Sequence, residues 1–402
     1  MARSDQRFVP ATPSGTALDH VSRQMAMLEK QLIVQVVEMA RDAPDVIALW
    51  FGESDLDTPD VAKDAAMAAL ARGETHYTHQ NGIPPLRQAL ATYMAGLYGR
   101  DFDSRRITVA SGGMSAIMMA LQTVLSAGDH MVIVTPLWPN AFGVCRILGA
   151  EYSEVPMVQH SDGWSLDLDR LFAAVGPRTR ALYIATPGNP TGWIMEHDQQ
   201  QAVLDFCRAR GLWLIADEVY ARMIYDRPVA PSFLEIADDE DRLIVVNTFS
   251  KTWAMTGWRM GWMVAPPSLE KLLADVVQYN SSGTATFLQY GALAAVEAGE
   301  GFAERMRDHC RVGRDIVHDR LHGMNRITLA RPQAALYAFL KVDGLTDSLA
   351  AAKSLLTETG VGLAPGVAFG AGGEGHLRIC FANAPDRLNQ AMDRLAPALA
   401  RL

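Results

Sequence analysis

The stretch Leu212-Trp213-Leu214-Ile215-Ala216-Asp217-Glu218-Val219-Tyr220 decides the fold. Five apolar residues with no polar alternation read as a strand buried on both faces, and the run stops at an acid. The same pattern recurs at Ile107-Thr108-Val109-Ala110, Met131-Val132-Ile133-Val134, Ala181-Leu182-Tyr183-Ile184-Ala185 and Leu243-Ile244-Val245-Val246. Between these runs lie helical spacings such as Met114, Ile117, Met118, Leu121, Val124 and Leu125. Apolar strands alternating with amphipathic helices predict an α/β fold with a mainly parallel sheet, of the seven-stranded type, between helices.

At 402 residues the chain exceeds one ordinary core, so a large domain and a smaller one are expected. Residues 1–20, polar and rich in Pro, Ser and Thr, read as a flexible arm. Residues 21–52 read as the N-terminal part of the small domain: helical spacing from Val21 to Arg41, then the short run Val46–Phe51. Residues 53–285 form the large domain. Past Thr286 long helical patterns give way to strand-like Leu336–Leu340 and Leu377–Ile379, so residues 286–402 are expected to be the C-terminal part of an α+β small domain.

A net charge of -9, spread along the chain, argues against nucleic-acid and anionic-membrane partners. No apolar run is long enough to span a bilayer, and the first residues do not resemble a signal peptide. Cys145, Cys207, Cys310 and Cys380 form no CxxC pair and read as reduced thiols of a cytoplasmic protein, with no metal site implied. Lysine is scarce: six residues, at 30, 63, 251, 271, 341 and 353, among 36 basic ones.

Ligands of an open parallel sheet bind beyond the carboxyl ends of its strands. Five polar segments follow the five runs: Ser111-Gly112-Gly113-Met114, Thr135-Pro136-Leu137-Trp138, Thr186-Pro187-Gly188-Asn189-Pro190-Thr191-Gly192, Asp217-Glu218-Val219-Tyr220 and Asn247-Thr248-Phe249-Ser250-Lys251. Each alone has a plain structural reading as a cap, turn, core aromatic or solvated lysine. Together on one edge they suit one cofactor, pyridoxal 5′-phosphate. A phosphate wants N–H groups at a helix start (Gly113, Met114), a hydroxyl (Thr248) and a guanidinium (Arg259). A pyridine ring wants an aromatic face (Trp138), a carboxylate at its nitrogen (Asp217) and donors to its oxygen (Asn189, Tyr220). Lys251 is then the amine that forms the Schiff base.

From about Ile47 to Phe381 the sequence resembles the class I/II, fold-type I aminotransferases. The most specific stretch is Thr248-Phe249-Ser250-Lys251-Thr252-Trp253-Ala254-Met255-Thr256-Gly257-Trp258-Arg259, similar to the family's cofactor-lysine signature; Asn189-Pro190-Thr191-Gly192 and Asp217-Glu218-Val219-Tyr220 also match. The resemblance implies transfer of an amino group from an L-amino acid to a 2-oxo acid by a ping-pong mechanism, with Lys251 shuttling the proton. It implies that Arg378, with Asn189 and the backbone of Gly52, grips the substrate α-carboxylate. It also implies that Tyr77 reaches the phosphate of a neighbouring subunit, making a homodimer. β-Elimination or decarboxylation would use the same cofactor anchorage, and ammonia release distinguishes elimination. A non-catalytic regulator on this fold would carry a DNA-binding segment, for which the polar arm leaves no room.

Two family motifs are altered, to Gly52-Glu53-Ser54-Asp55 and to Pro332-Gln333-Ala334-Ala335-Leu336-Tyr337. Leu272–Tyr290, where a dicarboxylate-binding arginine would fall, has neither Arg nor Lys. Trp50 and Phe51 are expected to form an apolar pocket wall favouring neutral or aromatic side chains.

Overall fold

Successive residues of the central strands go to opposite faces of one sheet. Met131, Ile133, Ala181, Tyr183, Ile215, Ile244 and Val246 enter one apolar cluster, and Val132, Val134, Leu182, Ile184, Leu214, Ala216, Leu243 and Val245 enter another. Two-sided burial explains why these runs lack polar alternation. The computed structural model describes residues 16–41, 43 and 45–402.

In chain order the strands are β1 (Ile47–Ala48), β2 (Ile107–Ala110), β3 (His130–Thr135), β4 (Glu151–Pro156), β5 (Val158–Gln159), β6 (Trp164–Ser165), β7 (Thr179–Ala185), β8 (Trp213–Asp217), β9 (Leu243–Thr248), β10 (Gly261–Val264), β11 (Ile327–Thr328), β12 (Tyr337–Val342), β13 (Val361–Gly362), β14 (Ala364–Pro365) and β15 (His376–Cys380). The large sheet runs β2-β10-β9-β8-β7-β3-β4. Only β10 is antiparallel to its neighbours. Its register is what matters for the site. Gly261 stands opposite both Ala110 and Thr248, while Asp217 stands opposite Ala185 and Val246. The polar segments after β2, β7, β8 and β9 therefore open onto one edge.

The smaller sheet runs β11-β12-β15-β14 and is antiparallel. β1 pairs in parallel with β13, and the Leu32–Met39 helix packs on the Ser348–Thr359 helix, so the early segment joins C-terminal elements. The helix Thr286–Ala298 packs chiefly on the helices Asp60–Ala71 and Pro84–Tyr98. The division expected at 285/286 thus cuts through one packed layer, and the break in packing falls after Ala298.

One expected helix is corrected. Val21–Arg41 is not continuous: Ala17–His20 is a 3-10 turn, Arg23–Ala26 a single helical turn, and only Leu32–Met39 a proper helix. Val21, Met25, Met27 and Leu28 are exposed, and a short helix without a packed face is not stable in water. Ile33 and Val36 are buried, and helix forms where they are. Of the expected arm, residues 1–15 lie outside the described residues.

Candidate active site

The segments at the sheet edge enclose a cavity of about 500 Å³. At one end, β2 runs into Gly112 and the helix Gly113–Val124. Gly112 has φ +95°, and a Cβ there would collide with the Arg259 guanidinium, so both backbone and space demand glycine. The first N–H groups of the helix, on Gly113 and Met114, have no intrahelical acceptor and suit an anion. Arg259 itself is left-handed (φ +53°) and donates from Nη1 to the Thr256 carbonyl at 2.6 Å. Thr248 Oγ1 accepts the Ser250 N–H at 3.2 Å and lies 3.0 Å from the Ser250 hydroxyl. A helix start, two hydroxyls and a guanidinium fit a phosphate.

Deeper in, Asp217 is buried at the end of β8 and accepts a hydrogen bond from the Tyr183 hydroxyl at 2.9 Å. Burial pushes its carboxyl up to about 6, against the lowering effect of Tyr183. Trp138 and Val219 line the cavity nearby, and the Trp138 N–H donates to the Asn189 carbonyl at 3.0 Å. Tyr220 and Tyr337 share a hydrogen bond of 2.6 Å between hydroxyls.

Lys251 sits on the short helix Phe249–Thr252, capped by Thr248. Its amine donates to the Gly52 carbonyl and lies 5.9 Å from the Tyr220 ring centroid. Burial pushes this amine down to about 8, with Arg378 and Arg259 acting in the same direction and Cys380 and Glu53 opposing. A Cβ on Gly52 would collide with the Tyr337 hydroxyl, so glycine here permits close approach of backbone and ring.

Arg378, on β15, is 3 % exposed. Nη1 donates to Asn189 Oδ1 at 2.9 Å and Nη2 to the Trp50 carbonyl, while Nε has no partner. The guanidinium lies over the rings of Tyr337 (4.3 Å) and Phe369 (4.8 Å), and among the described residues no carboxylate forms an ion pair with it. A buried guanidinium with an unmet N–H and no anion is a carboxylate receptor.

The structure thus brings together Gly52, Gly113, Met114, Trp138, Asn189, Asp217, Tyr220, Thr248, Lys251, Arg259 and Arg378. Tyr77 stands apart, 94 % exposed, in a surface cleft between residues 75–78 and 281–285. Trp50 does not line the cavity: it is buried, filling the space where a Cβ on Gly362 would lie, and only its carbonyl serves the site. Phe51 does line it. Three site residues escaped the sequence reading as such, namely Ser250, Tyr183 and Tyr337. A hydroxyl beside Lys251 and a phenol inside an apolar strand, which needs a buried partner, were the available signals. Among the described residues, no cluster of His, Cys, Asp or Glu is placed to hold a metal, and no helix is long and apolar enough to cross a membrane.

An amine, an acid, a phosphate cradle and a carboxylate receptor in one cavity of a parallel α/β sheet define a pyridoxal-phosphate enzyme. The family model for aminotransferase class I and II matches residues 44–395, and the chain belongs to that family. It is 31% identical to an aspartate aminotransferase of Pyrococcus horikoshii, over 94% of this chain and 97% of the relative. It is 34% identical to aromatic-amino-acid aminotransferase 2 of Thermococcus litoralis, over 94% and 98%. Among solved structures, a Thermus thermophilus aspartate aminotransferase mutant superimposes with TM-score 0.87 at 31% identity, covering 94% of this chain and 99% of that one. The protein is a pyridoxal-phosphate-dependent aminotransferase, exchanging amino groups between amino acids and 2-oxo acids in the two-stage manner typical of the family.

Proposed function

We propose that Lys251 anchors the cofactor in this cavity and is the group that moves the proton at the substrate α-carbon. Pyridoxal phosphate, when bound, supplies an aldehyde that takes up the amino group and a ring that draws electrons from the Cα–H bond. The N–H groups of Gly113 and Met114, the hydroxyls of Thr248 and Ser250 and the guanidinium of Arg259 hold its phosphate. Trp138 covers a ring face, and Asn189 and Tyr220 hydrogen-bond the ring oxygen. Asp217, anionic beside a protonated ring nitrogen, keeps that proton in place. Arg378, oriented by Asn189, holds the substrate α-carboxylate with the Gly52 backbone. Lys251, displaced by the incoming amine, takes the proton from Cα; an amine near pH 8 serves as base and then as acid.

The observation that carries this reading is the buried Arg378 with its unmet Nε, opening into the same cavity as a desolvated lysine. The active unit is a homodimer in which Tyr77 reaches the partner's phosphate site, a reading supported by its 94 % exposure within one chain. The compartment is the cytoplasm, supported by four buried free thiols.

Borohydride reduction of the holoenzyme followed by peptide mass spectrometry tests the anchor. The cofactor mass is expected on the peptide holding Lys251, and Lys251→Ala is expected to abolish both the adduct and turnover. An adduct persisting in that variant would overturn the assignment. Release of 2-oxo acid without ammonia separates amino transfer from elimination.

A further inference from the structure

The relatives are named for different substrates, one for aspartate and one for aromatic amino acids, so the family alone does not choose the donor. The cavity does. Three cations line it, Lys251, Arg259 and Arg378, and the roles proposed above commit each of them: to the amine, the phosphate and the α-carboxylate. The remaining wall is apolar. Ile33 and Val34 come from the Leu32–Met39 helix, Phe51 from the segment before Gly52, Ile117 from the Gly113–Val124 helix, and Leu137 from the segment after β3. The neutral polar groups on this wall, Gln31 and Asn140, satisfy each other at 2.7 Å, and the Asn140 amide also reaches the Met114 sulfur at 3.3 Å.

One further charge lines the cavity, and it is negative. Glu53 accepts from the Thr256 hydroxyl at 3.3 Å, and the Thr256 carbonyl in turn takes Arg259, which places Glu53 toward the phosphate end. Nor does the surface around Tyr77 add a cation to a second subunit, since the cleft between residues 75–78 and 281–285 contains no lysine or arginine. A side-chain carboxylate entering this cavity loses water and meets no counter-ion. An apolar side chain loses only its contact with water, which favours burial.

We propose that the amino donors of this enzyme carry uncharged, apolar side chains, of the leucine, methionine and phenylalanine kind, and that the Ile33–Val34 and Phe51 wall enforces the choice. The inference rests on the aminotransferase site described above. Removing a charge mismatch of this kind changes kcat/KM by about 10-fold or more.

The test mixes purified holoenzyme with alanine, leucine, methionine, phenylalanine, aspartate, glutamate and lysine in single half-reactions, reading the cofactor absorbance. Leucine, methionine and phenylalanine are expected to exceed aspartate, glutamate and lysine in kcat/KM by about 10-fold or more. Val34 is 42% exposed and accommodates a longer side chain, so Val34→Lys is expected to raise aspartate relative to leucine by about the same factor. Phe51→Lys, at a second exposed wall position, is the parallel variant. Aspartate, glutamate or lysine as the best donor of the unmodified enzyme would overturn the inference while leaving amino transfer intact. Absorbance indifferent to every amino acid would overturn the site reading itself, and this inference with it.

Discussion

Lys251 combines two demands that conflict in water: an amine must be neutral to bond a carbonyl, yet free lysine is protonated to pH 10.5. Desolvation resolves the conflict by bringing the amine down to about 8. In cofactor-free protein the neutral amine therefore predominates above about 8. The rate of pyridoxal phosphate attachment is expected to rise through that pH and level off beyond it. A rise centred near 10.5 in stopped-flow absorbance would contradict the assigned environment. The same shift fixes a sign for stability. Between about 8 and 10.5 the unfolded chain holds a proton that the folded chain has released, so cofactor-free stability rises with pH across that window. Lys251→Met should flatten the rise. At Arg378 the geometry matters more than the charge, because Nε and Nη1 point along a fixed fork and a lysine offers one point. Arg378→Lys is expected to raise the amino-acid KM by about 10- to 100-fold, the worth of one charged hydrogen bond, while leaving cofactor absorbance unchanged. Loss of the cofactor instead would move Arg378 out of the substrate site.

At the scale of elements, β10 is what closes the phosphate cradle, because it lies between the ends of β2 and β9. A Cβ on Gly261 would stand 2.8 Å from both the Gly112 carbonyl carbon and the Gly113 nitrogen, backbone atoms that cannot swing aside. Gly261→Ala should push β10 off the cradle at a cost of about 1–3 kcal/mol. Part of this should appear as weaker pyridoxal phosphate binding, roughly 10-fold by titration of the cofactor-free protein. Unchanged affinity with lowered thermal stability would show that the cradle does not depend on β10. This strand also marks where the sequence ceases to be legible. Five strands announce themselves because both faces are buried. β10 is four residues long and follows a left-handed Arg259, while β4 carries Glu151 and Glu154 on a partly exposed edge. The candidate site was legible where a residue follows a strand or lies in a motif, as Asp217, Asn189, Lys251 and Arg378 do. Tyr183 and Tyr337 were not, since a buried phenol shows its purpose only once its partner, Asp217 or Tyr220, is in place. The segment Val21–Arg41 was over-read because apolar spacing promises a helix only where something covers its apolar face.

For the whole molecule, the cavity of one chain contains every proposed cofactor and substrate contact except Tyr77. That tyrosine projects from a surface that also exposes Tyr279, Met67 and Leu70, large side chains of the kind buried between subunits. If Tyr77 serves the partner's phosphate, a defect there damages the other subunit's site rather than its own. Tyr77→Phe should then weaken cofactor binding by about 10-fold, as expected for one lost hydrogen bond to a charged group. Lys251→Ala inactivates only the subunit that bears it. Mixing the two variants and allowing subunits to exchange produces hybrids. In each hybrid, the intact Lys251 of one chain faces the intact Tyr77 of the other, while the second site carries both defects. At limiting pyridoxal phosphate the mixture should gain activity beyond the sum of the separate variants. Independent sites would give only that sum, and a monomer by sedimentation would give no hybrids to exchange. Complementation therefore distinguishes a shared site from two separate ones by a readout that misfolding of either variant cannot imitate.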